Sequence, residues 1–187
     1  MSATAAREAP DGLLQGSAST MIRWLSQTLE IDAAAGLALE NHSGLSSRSR
    51  ATPKVMAEIM AGAVRLPSLM NIPAKVDGAL WPMLPRYGLP MADGEPDLPN
   101  VEVRAKSGTM YYGRGLAGYM LGENGRPLAF AIFTSDFSKR AKLDALPNPE
   151  SRESPRGGKG WLRRAQYLER AILKSWTHRF TRATDEG

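Results

Sequence analysis

The sequence contains no cysteine among its 187 residues. Disulfide bonds, thiolate metal ligands, a cysteine nucleophile and thiol redox chemistry are therefore excluded. No stretch approaches the roughly 18 to 20 continuous apolar residues that a bilayer-spanning helix requires, so we predict no transmembrane segment. The first ten residues lack a basic start followed by an apolar run, which predicts no signal peptide in this chain.

Histidine is almost as scarce, since His42 and His178 are the only two. They form no spaced pair, so we predict no metal site. His42 precedes Ser43, but adjacent side chains rarely point the same way and no carboxylate partner is evident for the histidine. We therefore interpret His42 and Ser43 as turn residues. His178 lies beside Arg179 and Arg182, which predicts a solvated side chain.

Charge is moderate in both signs: 24 basic and 19 acidic residues leave a net charge of +5, and 42% of the residues are hydrophobic. This composition supports one core and suits an anionic partner without requiring one. A basic cluster lacks the interleaved aromatics of a nucleic-acid-binding module, so we interpret it as a solvated helix start and expect no nucleic-acid partner. The cluster comprises Arg156, Lys159, Arg163 and Arg164.

Two helices are predicted in the first third of the chain. Over residues 17–30, apolar residues recur at helical spacing behind a serine that can cap the helix. Thr52 and Pro53 predict the start of a second helix, which ends near Val64. Between the two, residues 36–45 predict a strand or extended chain that enters a polar loop.

Residues 66–99 contain most of the prolines and predict no long regular element. We interpret them as a crossover lying on the surface, because long ordered loops in compact domains are usually functional or cover a site. Residues 141–160 predict a polar link to a last helix over residues 161–176. Its predicted apolar side comprises Leu162, Ala165, Leu168, Ile172 and Trp176, and its polar side Arg163, Arg164, Glu169 and Lys174.

Residues 100–133 carry the clearest strand pattern. Val101, Val103 and Ala105 alternate with polar residues, and two apolar runs flank Asn124-Gly125, a strong hairpin signal. We predict a three-stranded antiparallel meander with the last helix on one face. The predicted fold class is therefore α/β, with helices covering an antiparallel sheet.

The first predicted strand contains Lys106-Ser107-Gly108-Thr109. Gly108 has no side chain, so a ligand backbone can approach closely. The Ser107 hydroxyl can bind a carboxylate, and Lys106 supplies a positive field. By itself the Lys-Ser-Gly triplet also fits an ordinary strand end.

This triplet resembles the Lys-Thr/Ser-Gly signature of penicillin-binding proteins and serine β-lactamases, whose other motifs are Ser-x-x-Lys and Ser-x-Asn. Further segments, in the family's order, resemble the C-terminal part of D-alanyl-D-alanine carboxypeptidases of the low-molecular-mass class C penicillin-binding proteins. Together they span most of the chain. They are Asn41-His42-Ser43-Gly44-Leu45-Ser46, Ala51-Thr52-Pro53, Val76-Asp77-Gly78-Ala79-Leu80, Arg104-Ala105-Lys106-Ser107-Gly108-Thr109, Leu116-Ala117-Gly118-Tyr119 and Leu128-Ala129-Phe130-Ala131-Ile132.

The resemblance implies a partial β-lactamase/transpeptidase-like fold and a periplasmic enzyme that cleaves peptidoglycan stem peptides ending in D-Ala-D-Ala. Such an enzyme acts through an acyl-enzyme, binds β-lactams and needs no cofactor. The resemblance also implies that Lys106, Ser107, Gly108 and Thr109 bind the substrate. Lys106 and Ser107 would hold the terminal carboxylate, and the backbone near Thr109 would supply an oxyanion-hole amide.

The chain departs from the family at the nucleophile. No serine stands three residues before any of the seven lysines, or two residues before any of the five asparagines. We therefore expect residues 1–187 to be the C-terminal portion of a transpeptidase-like domain. The catalytic residues would then lie in a missing N-terminal half of that domain, with none in this chain.

Three classes of function remain open. The first is part of a serine-type D-Ala-D-Ala carboxypeptidase or endopeptidase. The second is a non-catalytic truncated homologue that binds peptidoglycan or a protein partner. The third is a nucleic-acid binder, which predicts an affinity that falls steeply with salt.

Overall fold

The structure, a computed structural model, describes residues 14–40, 46, 48–66, 80–90, 98, 100–146, 155 and 157–180. The turn predicted at His42 and Ser43 and most of the predicted crossover 66–99 lie outside these residues. The α-helices and β-strands in the described ranges are, in chain order, α1 (Leu14–Leu29), β1 (Leu37–Ala38), β2 (Arg50–Ala51), α2 (Pro53–Ala63), β3 (Glu102–Met110), β4 (Gly113–Leu121), β5 (Pro127–Ser135), α3 (Phe137–Asp144) and α4 (Gly158–Phe180).

The predicted meander is confirmed. Strands β3, β4 and β5 form an antiparallel sheet in that order, and the short strands β1 and β2 pair separately. Met110 and Gly113 are the last paired residues before the turn of the first hairpin. Leu121 and Pro127 are the last paired residues before the turn of the second. Gly125 has a φ of +65° in the turn between β4 and β5, where glycine is favoured.

Helix α4 covers one face of the sheet, as predicted, because Leu173 is buried among β-strand residues that include Val103, Leu116 and Phe130. The prediction is wrong at Leu168, which the sequence assigns to the apolar side, and at Glu169, which it assigns to the polar side. Leu168 is 46% exposed, whereas Glu169 is fully buried. The side chains that face the sheet are spaced four residues apart, and Glu169 lies between Ala165 and Leu173.

Helix α2 lies on the opposite face, where Met60 packs with Trp81 and Tyr119. The predicted start of α2 is confirmed, since Thr52 Oγ1 accepts a hydrogen bond from Val55 N–H at 3.2 Å. The predicted N-terminal helix is confirmed as α1, which packs against α2 through Leu25 and Leu29. Both faces of the meander are thus covered by helices.

Helix α3 was not predicted. None of its residues is buried, so it has no apolar stripe that the sequence could reveal. Its start is fixed by Asp136, whose side chain accepts a hydrogen bond from Lys139 N–H at 3.1 Å. Residues 141–144 of the predicted link therefore end α3, and residues 158–160 begin α4. Residues 147–154 and 156 of that link lie outside the described residues.

None of the described helices combines the length and the apolarity that a bilayer-spanning helix needs.

Candidate substrate-binding edge

Strand β3 lies at one edge of the meander, and the described residues cover the first half of its outer edge. Tyr87 N–H donates to Val103 O at 2.8 Å, and Ala105 N–H donates to Pro85 O at 3.0 Å. From Lys106 to the end of the strand, no described backbone segment pairs with this edge. We call residues 106–110 on this side the open edge.

The backbone groups at the open edge follow from strand geometry. In an antiparallel strand, alternate residues direct their N–H and C=O groups to the same side. Val103 and Ala105 use theirs on the outer side of β3, so Ser107 and Thr109 direct theirs outward as well. Such an unpaired edge can accept an extended peptide as an additional strand.

Lys106 places its charge at the open edge. Its side chain is exposed, and its Nζ donates to the Ser107 carbonyl oxygen at 2.6 Å. Because side chains alternate along a strand, Ser107 faces the α4 side together with Val103 and Ala105, and Lys106 starts from the other face. The length of the lysine side chain nevertheless brings its ammonium group to the Ser107 backbone.

Gly108 borders unfilled space, since a Cβ atom built there would meet no heavy atom within 4 Å among the described residues. Packing within the described chain therefore does not explain this glycine. Gly118 on β4 is the opposite case, because a Cβ there would overlap the Arg104 carbonyl oxygen and lie 2.6 Å from Ala105 Cα. Gly118 serves strand packing, whereas the space beside Gly108 is not filled by any described residue.

Thr109 is joined to a hydrogen-bond network that is buried at Arg114 and Glu169. It pairs in register with Arg114 on β4, and Arg114 Nη1 donates to Thr109 Oγ1 at 2.8 Å. Arg114 Nε donates to Glu169 Oε2 of α4 at 2.9 Å, and the Tyr87 hydroxyl donates to the same oxygen at 3.0 Å. We call Thr109, Arg114, Glu169 and Tyr87 the Thr109 network.

The charged pair of this network is removed from water, with the Arg114 side chain 5% exposed and the Glu169 side chain 0% exposed. Burial, and then the charge of Glu169, raise the pKa of Tyr87 above its usual value. The tyrosine therefore remains a neutral hydrogen-bond donor to the carboxylate.

Sequence analysis missed Arg114, Glu169 and Tyr87. One signal was present, because Arg114 occupies the same face of β4 as Leu116, and an arginine at a core-facing strand position requires a buried partner. Glu169 lies 55 residues away, so no local pattern identifies it as that partner.

The predicted site residues Lys106, Ser107, Gly108 and Thr109 all lie on β3, at or beside the open edge. This edge offers an ammonium group, hydroxyl groups and outward N–H groups, which suit an extended peptide that ends in a carboxylate. Within the described residues, no three His, Asp or Glu side chains come together as metal ligands. His42, Ser43 and the His178 side chain lie outside the described part of the chain.

Comparison with known families identifies a family model that matches most of the chain. The model described as the D-Ala-D-Ala carboxypeptidase 3 (S13) family matches residues 3–150. A search of curated proteins finds no match. The matched range contains the whole meander and the open edge, whereas Glu169 on α4 lies beyond it.

Proposed function

Since the chain belongs to the D-Ala-D-Ala carboxypeptidase 3 (S13) family, we propose that the open edge of β3 binds the D-Ala-D-Ala end of a peptidoglycan stem peptide. In this proposal the chain is the C-terminal part of a periplasmic serine-type carboxypeptidase or endopeptidase. Its nucleophile is supplied by residues outside this chain, because no Ser-x-x-Lys is present.

The observation that carries the proposal is the position of the Lys106 ammonium group at the half of β3 that no described strand covers. A peptide that pairs with this edge meets the outward backbone groups of Ser107 and Thr109. Its terminal carboxylate can then accept charge-assisted hydrogen bonds from Lys106 and a hydrogen bond from the Ser107 hydroxyl.

The same edge supports a role in catalysis. The outward N–H of Thr109 donates to the peptide carbonyl oxygen that becomes negatively charged when a nucleophile attacks. A donor fixed in a strand needs no reorganisation during the reaction, which is why such donors stabilise the transition state efficiently. Gly108 leaves the space in which the peptide backbone approaches.

A second candidate is a non-catalytic homologue that binds the same peptide without turnover. The absence of a serine three residues before any lysine favours it. The coding sequence upstream of Met1 separates the two candidates. An in-frame Ser-x-x-Lys and Ser-x-Asn would support the enzyme, and stop codons would support the binding protein.

Peptide binding tests the proposal directly. We would titrate the isotope-labelled chain with N-acetylated Lys-D-Ala-D-Ala and follow the backbone amide signals by NMR. We expect saturable shifts at Ser107 and Thr109, and an affinity lower by roughly tenfold or more in Lys106→Ala, since a hydrogen bond to a charged group is lost.

The matched control is Lys159→Ala, because Lys159 is also exposed but lies on α4. This variant should bind like the unmodified chain. The peptide with a C-terminal amide should bind weakly to all three proteins, since it lacks the carboxylate. Absence of saturable shifts, or an equal loss of affinity in the two lysine variants, would refute the proposal.

A further inference from the structure

The Thr109 hydroxyl has a defined hydrogen-bond role in this structure. A threonine hydroxyl has one hydrogen to donate and lone pairs that accept, whereas an arginine guanidinium only donates. In the 2.8 Å contact between Arg114 Nη1 and Thr109 Oγ1, threonine is therefore the acceptor. No described residue accepts the hydroxyl hydrogen, so it is available for another partner.

The direction and the charge of this contact both favour a ligand as that partner. Arg114 lies on β4, so its guanidinium group donates to the Thr109 oxygen from the side of β3 that faces β4. Thr109 is an exposed residue beside the open edge. A cation that donates to the oxygen also polarises the O–H bond and makes the hydroxyl a stronger donor.

Stability alone does not account for the buried charges. Desolvation of an arginine and a glutamate costs free energy that their attraction repays only with good geometry, and apolar residues of similar volume often stabilise a core equally well. Here the pair fixes an orientation, since Glu169 holds Nε of Arg114 at 2.9 Å while Nη1 reaches Thr109.

Tyr87 connects this pair to the covered half of the same edge. Its hydroxyl donates to Glu169, and its backbone N–H donates to Val103 on β3. The Thr109 network therefore joins α4, β4, β3 and the segment around residue 87 that covers the first half of the β3 edge.

We propose that Arg114 is a positioning residue that orients the Thr109 hydroxyl as a hydrogen-bond donor to the bound peptide, and that Glu169 and Tyr87 hold Arg114 in place. The donor's target is a carboxylate or carbonyl oxygen of the peptide. This inference rests on the proposed function, because it requires a peptide at the open edge.

A double-mutant cycle on binding of N-acetylated Lys-D-Ala-D-Ala tests this inference. We expect Thr109→Val to weaken binding by roughly tenfold, because it removes one donor, and Thr109→Ser to restore most of the affinity. Arg114→Met combined with Glu169→Leu removes both buried charges and leaves none unpaired. This pair of substitutions should also weaken binding, but should have no further effect in a chain that carries Thr109→Val.

A purely structural role of the ion pair predicts a different result, namely equal losses of affinity with and without Thr109→Val. Thr134→Val is the matched control, since Thr134 is the register partner of Arg114 on β5, away from the open edge. It should bind like the unmodified chain. Circular dichroism would show that each variant is folded.

The outcomes separate the two proposals. If the peptide does not bind, or if Lys106→Ala leaves its affinity unchanged, the proposed function and this inference both fail. If Lys106→Ala weakens binding but Thr109→Val does not, or if the losses add, only this inference fails. If the charge-removing variant does not fold, Tyr87→Phe replaces it in the cycle. It should cause a smaller loss of affinity, and this loss must also disappear in a chain that carries Thr109→Val.

Discussion

At the scale of single residues, Gly108 and Gly113 offer a matched comparison. A Cβ atom at either would meet no heavy atom within 4 Å in the described structure. We expect Gly108→Ala to weaken binding of N-acetylated Lys-D-Ala-D-Ala by roughly 1–3 kcal/mol, because a methyl group would crowd the approaching backbone. We expect Gly113→Ala to leave binding unchanged.

Both substitutions should keep or slightly raise the stability measured by urea unfolding, since alanine loses less backbone entropy on folding than glycine. An unchanged peptide affinity in Gly108→Ala would show that the space beside this glycine does not receive the ligand.

Tyr119 links the sheet to α2, since its hydroxyl donates to Met60 O at 2.6 Å. The last carbonyl groups of a helix lack partners within the helix, and the tyrosine supplies one. We expect Tyr119→Phe to lower the free energy of unfolding by about 1–3 kcal/mol in urea titrations at pH 7, because a buried acceptor is left unsatisfied.

The same residue predicts an alkaline pH dependence. Burial raises the pKa of Tyr119 to about 12. The ordinary pKa of a tyrosine is about 10. The stabilisation of the fold by the neutral Tyr119 hydroxyl is therefore complete below pH ~10, and it is lost as the pH rises from there through the folded-state pKa. Absorbance titration should show Tyr119 as a late component beside Tyr87, whose pKa is also raised. The Tyr119 component should be absent in Tyr119→Phe and retained in the exposed control Tyr167→Phe. Titration of every tyrosine near pH 10 would contradict the prediction.

The residues of the site differ in how well the sequence reveals them. Lys106 to Thr109 form a continuous motif, so local reading identifies them, and the structure places all four on β3. Arg114 and Glu169 become a pair only when α4 packs on the sheet. The sequence assigned Glu169 to the polar side of α4 because a charged residue within a helical stripe is normally solvated.

At the scale of elements, the same distinction holds. Helices α1 and α2 and the three strands of the meander have periodic apolar residues or clear caps and turns, and the sequence predicts them. Helix α3 buries none of its residues, so only the hydrogen bonds of Asp136 mark its start. Side-chain caps are short-range signals that many loop residues also provide.

The cap of α3 predicts an acid-sensitive element. The side-chain hydrogen bond from Lys139, with those from the Lys139 backbone and Ser138, lowers the pKa of Asp136 from 3.8 to about 2. A depressed folded-state pKa means that the charged cap stabilises α3 above pH ~4 and that this stabilisation is lost as the pH falls towards ~2. The amide signal of Lys139 should shift over this range in an NMR titration.

Asp136→Asn is the control for the α3 cap, because asparagine can cap a helix but carries no charge. The pH dependence of the Lys139 amide should disappear in this variant. A transition centred near pH 4 in the unmodified chain would show that the contacts of Asp136 do not favour its charged form.

At the scale of the whole molecule, the absent nucleophile predicts how the chain responds to penicillin. A β-lactam forms a covalent adduct only with an activated nucleophile, and binding residues cannot replace it. The 187 residues contain no Ser-x-x-Lys. We therefore expect intact-mass analysis after incubation with penicillin to show the unmodified mass. A stoichiometric adduct would mean that another residue of this chain is the nucleophile.

The sheet as a whole predicts self-association of this chain. Among the described residues, β5 pairs only with β4, so its other edge presents unpaired backbone groups over residues 127–135. Phe133 on this strand is 37% exposed. Long unpaired strands with apolar side chains favour pairing between molecules, and a lysine on an edge strand opposes it. We expect sedimentation velocity to show concentration-dependent association that Phe133→Lys reduces.

The control for this edge is Tyr167→Lys, which removes an exposed aromatic residue from α4 and adds the same charge. It should leave the association unchanged, because α4 has no unpaired strand backbone to offer. If both variants reduce association equally, general apolar contacts or net charge explain it. A monomer at every concentration would show that the β5 edge is protected in this chain and would contradict the prediction.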